Sequence, residues 1–404
     1  MTATTRPASL APLYWLALGT FAVGTESFMI AGLLPDMATD LHTSIVATGQ
    51  LVTVFALAYA LSSPVLTALT GAFHRRTLMI MSLSAFTVAN IIAWGAQNYW
   101  ELMAARILLA AAAGLYVPGA NALAGAIAGP ERRGTALAIV NGGITIAVAF
   151  GVPLGALVGD RLGWRMTFAG VAALSAAATA GLLIGLPRNM GAGLPVATLR
   201  ERIQVARQPV ILMTLLVTTL WAMGAYTIYT YLALFVAKTT PLHGAQIGYV
   251  LFSWGASAFI GVMVGGLVND KVGARSVIRV ALPLTAVSLA AFSFAALYLA
   301  PAERLPVILA AVVIWGMAAW AFSPAQQARL IGVAGMKNAP IVLSLNASFQ
   351  YFGFSLGALL GGVTLANGEV AHLGWIGGLC VLGALTVFAR SERRSMMPAI
   401  LAVE

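Results

Sequence analysis

Gly151-Val152-Pro153-Leu154-Gly155-Ala156-Leu157-Val158-Gly159 lies within one long apolar stretch and returns 202 residues later as Gly353-Phe354-Ser355-Leu356-Gly357-Ala358-Leu359-Leu360-Gly361. Glycines four apart line one face of a helix and let a neighbouring backbone approach closely. Two further pairs repeat at nearly the same spacing. Pro118, Asn121 and Ala122 return as Pro324, Gln327 and Ala328, and the basic loop ending at Arg76 returns as one ending at Arg275. A period near half of the 404 residues means two equivalent halves.

Each half is strongly apolar. Hydrophobic residues make up 60% of the chain and charged ones 8%, against about 25% charged in soluble proteins. That composition excludes a soluble globular enzyme, and it excludes disorder, which needs few apolar residues and much charge. A membrane-spanning helix takes about 20 mostly apolar residues. Twelve such stretches are predicted, near 12–35, 45–70, 77–96, 100–125, 134–158, 165–187, 209–237, 246–268, 276–300, 305–325, 339–365 and 371–389. The first is too long for the core of a cleavable signal, and no small-residue cleavage site precedes Pro35.

The expected fold is an all-α membrane protein, with twelve transmembrane helices in two pseudo-symmetric six-helix bundles. The bundles are assigned to 1–187 and 209–404. Between them runs the one long interior connection, 188–208, with Arg188, Arg200, Arg202 and Arg207. Such repeats describe many secondary transporters, whose substrate site lies between the halves near the bilayer midplane.

Basic residues set the expected orientation. With the amino terminus inside, the inner loops and termini hold 17 of the 22 Lys and Arg residues. They are Arg6, Arg75, Arg76, Arg132, Arg133, the four linker arginines, Lys271, Arg275, Arg279, Arg329, Lys337, Arg390, Arg393 and Arg394. The outer loops hold Arg161, Arg165, Lys238 and Arg304. Both termini are therefore expected in the cytoplasm. The net charge of +10 is topological and lends no support to a nucleic-acid partner. Cys380 is the single cysteine, and His42, His74, His243 and His372 are scattered through polar loops. No metal spacing, nucleophile elbow or phosphate loop occurs, so neither an enzyme nor a metal site is expected.

The sequence resembles the major facilitator superfamily over essentially its whole length, and more narrowly its twelve-helix drug/proton antiporter branch, which includes purine and sugar efflux permeases. Three features carry the likeness. The family loop pattern G-x-L-x-D-R-x-G-R-R is similar to Gly266-Leu267-Val268-Asn269-Asp270-Lys271-Val272-Gly273-Ala274-Arg275. Its first copy, Thr67 to Arg76, has lost the acid and both glycines. The antiporter pattern of helix five is matched by Gly142, Gly151, Gly155 and Gly159, with Ala156 in place of the family proline and Asp160 in place of its last glycine. Third, Gly24-Thr25-Glu26-Ser27-Phe28 with Gly32 to Pro35, and Trp315-Gly316 with Pro324 to Gln327, look like the purine and sugar efflux members.

Two formal charges fall well inside spans, Glu26 and Arg106. Each costs at least about 2.5 kcal/mol to insert. Glu26 lies nine residues before Pro35 and Arg106 seven after Tyr99, about 13 Å and 10 Å from the same face. Pairing between them is expected, either as a static strut or as a proton-loading site. The resemblance implies the second, since antiporters of this branch carry an acid in helix one and an arginine in helix four; here that arginine motif has Leu109-Ala110 where Gln-Gly is usual.

Tyr226, Thr227, Tyr229, Trp315, Asn346, Gln350 and Asn141 sit where a central pocket would lie, as do Tyr231 and Trp320. Interhelical bonding explains each singly; as a set they fit a small, ring-bearing cargo with hydrogen-bonding edges. Gating is expected of Arg75 and Arg76, of Asp270 paired with Lys271 or Arg275 as a latch between bundles, and of Gly151 and Gly155. The resulting expectation is a proton-coupled efflux antiporter for a purine- or nucleoside-like, sugar or amphipathic drug cargo. The proton gradient serves as its energy source, with no cofactor. The protein is expected to work as a monomer in the bacterial inner membrane. An uncoupled facilitator or an uptake symporter is the alternative.

Overall fold

In hydrocarbon an unpaired peptide group costs several kcal/mol, so a chain this apolar satisfies its backbone within helices. The computed structural model describes residues 11–71, 73–187 and 197–400, with backbone only for 129–131 and 393–400. Arg6 and Arg188 lie outside the described residues, as do the side chains of Arg393 and Arg394.

The helices are α1 (Ala11–Asp40), α2 (Ile45–Leu69), α3 (Arg75–Gly95), α4 (Tyr99–Ile146), α5 (Val152–Leu162), α6 (Trp164–Gly185), α7 (Leu199–Ala206), α8 (Pro209–Tyr229), α9 (Leu232–Thr239), α10 (Ala245–Val272), α11 (Ala274–Tyr298), α12 (Pro301–Ala334), α13 (Ala339–Asn367) and α14 (Leu373–Ile400). No strand occurs among the described residues. Among the described residues, twelve segments are long and apolar enough to span a membrane. Two of them share α4. Asn121 Nδ2 donates to Asn141 Oδ1 at 3.2 Å across 20 residues, about 30 Å along a straight helix, so the chain doubles back between the fourth and fifth spans. The fifth then passes through a π-helical turn, Ala147–Gly151, into α5.

Two boundaries differ from the sequence reading. Pro35 does not end α1, which runs on to Asp40. Proline there removes one N–H but keeps a helical φ, and the Thr39 hydroxyl donates back to the Pro35 carbonyl at 3.1 Å. The seventh span breaks at Thr230 and Tyr231, separating α8 from α9.

The glycine repeat has one job in both halves. A Cβ on Gly151 would lie 2.1 Å from Thr25 Oγ1, on Gly155 3.0 Å from Met29 Cβ, and on Gly159 2.3 Å from Leu33 Cδ2, all on α1. A Cβ on Gly353, Gly357 or Gly361 would lie 2.4, 2.3 or 2.6 Å from the Thr219, Met223 or Thr227 carbonyl oxygen of α8. Each ladder thus seats the fifth helix of its half against the first. The remaining packing also repeats: α2 on α4 matches α10 on α12, and α3 on α4 and α6 matches α11 on α12 and α14.

The halves meet along α2 against α13, and along the π turn and α5 against α10. The contacts lie at Gly49 against Tyr231, Gln50 against Gly362, Gly32 against Leu251, and Phe150 beside Phe252. A Cβ on Gly255 would sit 2.3 Å from the Val148 carbonyl oxygen across this seam. These positions lie on the half of the spans remote from the end that carries Arg75, Arg76, Arg200 and Arg275, the basic end, and the stack of Tyr59 on Tyr351 continues the α2–α13 contact to mid-span.

Candidate functional site

The site begins with α1 and α4. Arg106 Nη1 is paired with Glu26 Oε1, and neither side chain has any exposure. Arg106 Nε also donates to the Leu51 carbonyl of α2 at 3.4 Å, and its guanidinium lies 4.0 Å over the Phe55 ring. Glu26 Oε2 and Arg106 Nη2 find no partner. Phe55 adjoins Tyr351 of α13, which stacks on Tyr59 of α2 with centroids 3.7 Å apart. The ion pair therefore sits within the first half, one ring away from the second.

Two residues beyond Glu26, the Phe28 ring crosses into the second half. It lies 6.0–6.5 Å from the rings of Tyr226, Tyr229, Trp320 and Phe354, and its carbonyl accepts from Tyr229 Oη at 3.0 Å. These rings enclose a cavity of about 20 Å³, room for about one water. Tyr226, Tyr229, Trp315 and Gln350 line it, as the sequence reading expected of a pocket. Trp221, Trp254, Ser323 and Phe354 line it too and were missed. A signal existed for the tryptophans. Membrane-protein Trp concentrates in the interfacial belts, whereas Trp221 and Trp254 fall mid-span.

Three expected pocket residues lie elsewhere. The Thr227 hydroxyl donates to the Met223 carbonyl at 2.8 Å, and its backbone packs on Gly357 and Gly361. Asn346, although one turn from Gln350, accepts from Thr218 Oγ1 at 2.8 Å. Gln326 Nε2 donates to that same Thr218 oxygen at 3.0 Å and to the Thr214 carbonyl at 2.7 Å, so these three side chains tie α8, α12 and α13 together. Asn141 is exposed and bonded to Asn121. In each case the protein itself, for Thr227 its own helix, supplies the partner that a cargo would otherwise offer.

The expected latch is corrected. Asp270 is exposed and makes no ion pair among the described residues. Arg275 instead meets Glu392 Oε2 at 2.8 Å, and Arg329 meets Glu392 Oε1 at 3.2 Å and bonds Ser391. Sequence neighbours on a helix point apart, so Lys271 cannot serve Asp270. Glu392, 7% exposed on α14, presents the less hydrated and hence stronger partner. The network joins α11, α12 and α14 of one half and does not cross the seam. In the first half Arg75 is buried at the start of α3. Arg76 donates from Nε and Nη2 to the Leu186 and Leu183 carbonyls at 2.7 and 2.8 Å, capping the end of α6 with positive charge where the helix dipole favours it. Gly151 and Gly155 pack α5 on α1, within that half.

The linker adds one docking point. Thr198 and Glu201 form a capping box on α7, whose Arg202 donates to Ser344 Oγ of α13 at 2.7 Å. Bonds from the Thr198 backbone N–H and hydroxyl hold the Glu201 carboxyl below its usual range.

The chain matches the model of the Major Facilitator Superfamily over residues 16–358. It is 33% identical over 388 residues to the MFS-type transporter YbcL of Bacillus subtilis (strain 168), covering 95% of this chain and 97% of that one. It is 32% identical over 384 residues to a chloramphenicol resistance protein of Streptomyces lividans, covering 93% and 95%. A solved bacterial homologue of the human lysosomal transporter Spinster, inward-facing and occupied, superposes with a TM-score of 0.76 at 16% identity, covering 96% and 98%.

Proposed function

We propose, on the premise that this chain belongs to the Major Facilitator Superfamily, that it is a proton-coupled antiporter exporting a small ring-bearing molecule across the bacterial inner membrane. The observation that carries this is the arrangement on α1: Glu26, with one oxygen committed to Arg106 and one unpartnered, stands two residues from Phe28, the first-half side chain in the aromatic cavity. A carboxylate held by one cation in hydrocarbon is stable while ionised; protonation removes its charge and releases the arginine. Cargo pressing on Phe28 and Tyr226 shifts the same helix, so proton and cargo compete through α1. The seam between the halves is packed away from the basic end, and with that end in the cytoplasm this conformation accepts cargo from inside. The two bundles, 1–187 and 209–404, then rock about the seam. Export is favoured by the likeness to a resistance protein, and the aromatic lining favours a planar ring over a sugar.

The test is transport in proteoliposomes holding the purified chain, with an imposed pH gradient and labelled chloramphenicol or a purine nucleoside. Gradient-driven accumulation should occur in wild type and vanish in Glu26→Gln, which should retain cargo binding. Accumulation by Glu26→Gln at the wild-type rate removes Glu26 as the coupling acid. Downhill flux that ignores the gradient in wild type makes the protein a facilitator.

A further inference from the structure

The cavity contains an imbalance. Trp221 of α8, Trp254 of α10 and Trp315 of α12 all line it, at 5%, 3% and 1% exposure, and the indole N–H of each finds no acceptor. Buried donors in folded proteins are nearly always paired, so three unpaired around one space call for a common explanation. Packing alone does not provide one. Their rings are well placed, with Trp254 4.5 Å from Tyr229 and 5.5 Å from Trp315, and Trp221 4.8 Å from Phe322, and phenylalanine would pack as well without a donor. Nor does water suffice. Each indole nitrogen is closed to solvent in this conformation.

We infer that the cavity is built for a neutral, ring-bearing cargo that supplies hydrogen-bond acceptors, carbonyl or nitro oxygens or ring nitrogens, to the indole N–H groups of Trp221, Trp254 and Trp315. The aromatic rings stack on the cargo ring while the indole edges bind its oxygens. Gln350 and Ser323, half-buried at the mouth with Trp320, are the polar side chains that can read its outer edge. The same geometry rejects organic cations. An aromatic cage can hold a cation by its ring faces, but no carboxylate is among the residues that line the cavity to offset its charge. The nearby Glu26 is already held by Arg106. At about 20 Å³ the rings are collapsed, so cargo enters by spreading the half-buried side at Trp320, Ser323 and Gln350.

This inference rests on the proposed function only in placing cargo in this cavity; it does not require proton coupling. It is tested by equilibrium binding to the purified full chain in detergent, without any gradient. The probes are chloramphenicol, a neutral nitroaromatic amide; caffeine, a neutral purine with two carbonyls; and tetraphenylphosphonium, a ring-bearing cation with no acceptor. Wild type should bind at least one neutral probe more tightly than the cation. Trp221→Phe, Trp254→Phe and Trp315→Phe keep a ring and remove only the donor, and each engaged bond lost should weaken the neutral probe roughly 2- to 12-fold. Trp94→Phe, on α3, exposed and away from the cavity, is the control and should change affinity less than 2-fold. Elution as a single species and an unchanged thermal midpoint show that the variants fold. Wild-type affinity in all three donor variants overturns the inference, as does preference for the cation, or absence of binding by both neutral probes. Binding through the indoles in a protein that moves no protons would leave this reading intact and remove the coupling alone.

Discussion

Removing the charge of Arg106 while keeping its bulk, as in Arg106→Met, strands Glu26 in a site without exposure. Breaking one side of a buried pair costs about 3–5 kcal/mol. With Arg106 Nη1 gone, the described surroundings offer the carboxylate no second cation. The double variant Glu26→Gln with Arg106→Met has the same volume and no charge left to strand, so it should recover most of that loss. Thermal unfolding of both proteins in detergent reads the difference. The single variant should unfold at a clearly lower temperature than the double variant. Equal midpoints would refute the pairing as an energetic unit.

Four other outcomes follow from the packing and the charge network. Gly357→Leu places a side chain against the Met223 carbonyl and should lower thermal stability by at least about 1–3 kcal/mol, whereas Gly170→Ala, where a Cβ meets nothing within 4 Å, should be neutral or gain up to about 1 kcal/mol. Gly255→Leu presses on Val148 across the seam and should stop transport while leaving chloramphenicol or caffeine binding within about 3-fold of wild type, measured on the purified chain. Glu392→Gln leaves the buried Arg329 without its counter-ion and should cost about 3–5 kcal/mol, while Asp270→Asn should shift the thermal midpoint by less than 1 °C; the reverse ranking would restore the Asp270 latch. Arg202→Ala removes the bond from α7 to Ser344 and should speed proteolytic nicking in the 188–208 connection.

Much of the architecture was legible because membrane insertion leaves few choices. Runs of about 20 apolar residues must span as helices, and the recurrence of Gly151-x-x-x-Gly155 as Gly353-x-x-x-Gly357 announced two like halves. The repeat also held its partner in code, since a helix face without Cβ atoms must be covered by another backbone. Glu26 and Arg106 were visible for a related reason. Intramembrane charges are too costly to be incidental, and similar depth on neighbouring spans left pairing as the economical arrangement.

What periodicity could not decide was rotation about each helix axis and the competition among partners. Thr227 and Tyr226 are adjacent, yet one turns its hydroxyl back to Met223 and the other lines the cavity. Asn346 looked like a cargo ligand until α8 supplied Thr218 within 2.8 Å. Arg275 had an acid five residues away in Asp270 and took one more than 100 residues away in Glu392, because the folded bundle makes that carboxylate the more buried. Thus the composition and the repeat alone determined the spans, the two halves and the existence of a buried ion pair, since these follow from the solvent the chain inhabits. Only the tertiary structure decided which side chains meet, because polar groups in hydrocarbon take the nearest desolvated partner, and nearness is set by helix rotation and packing rather than by position along the chain.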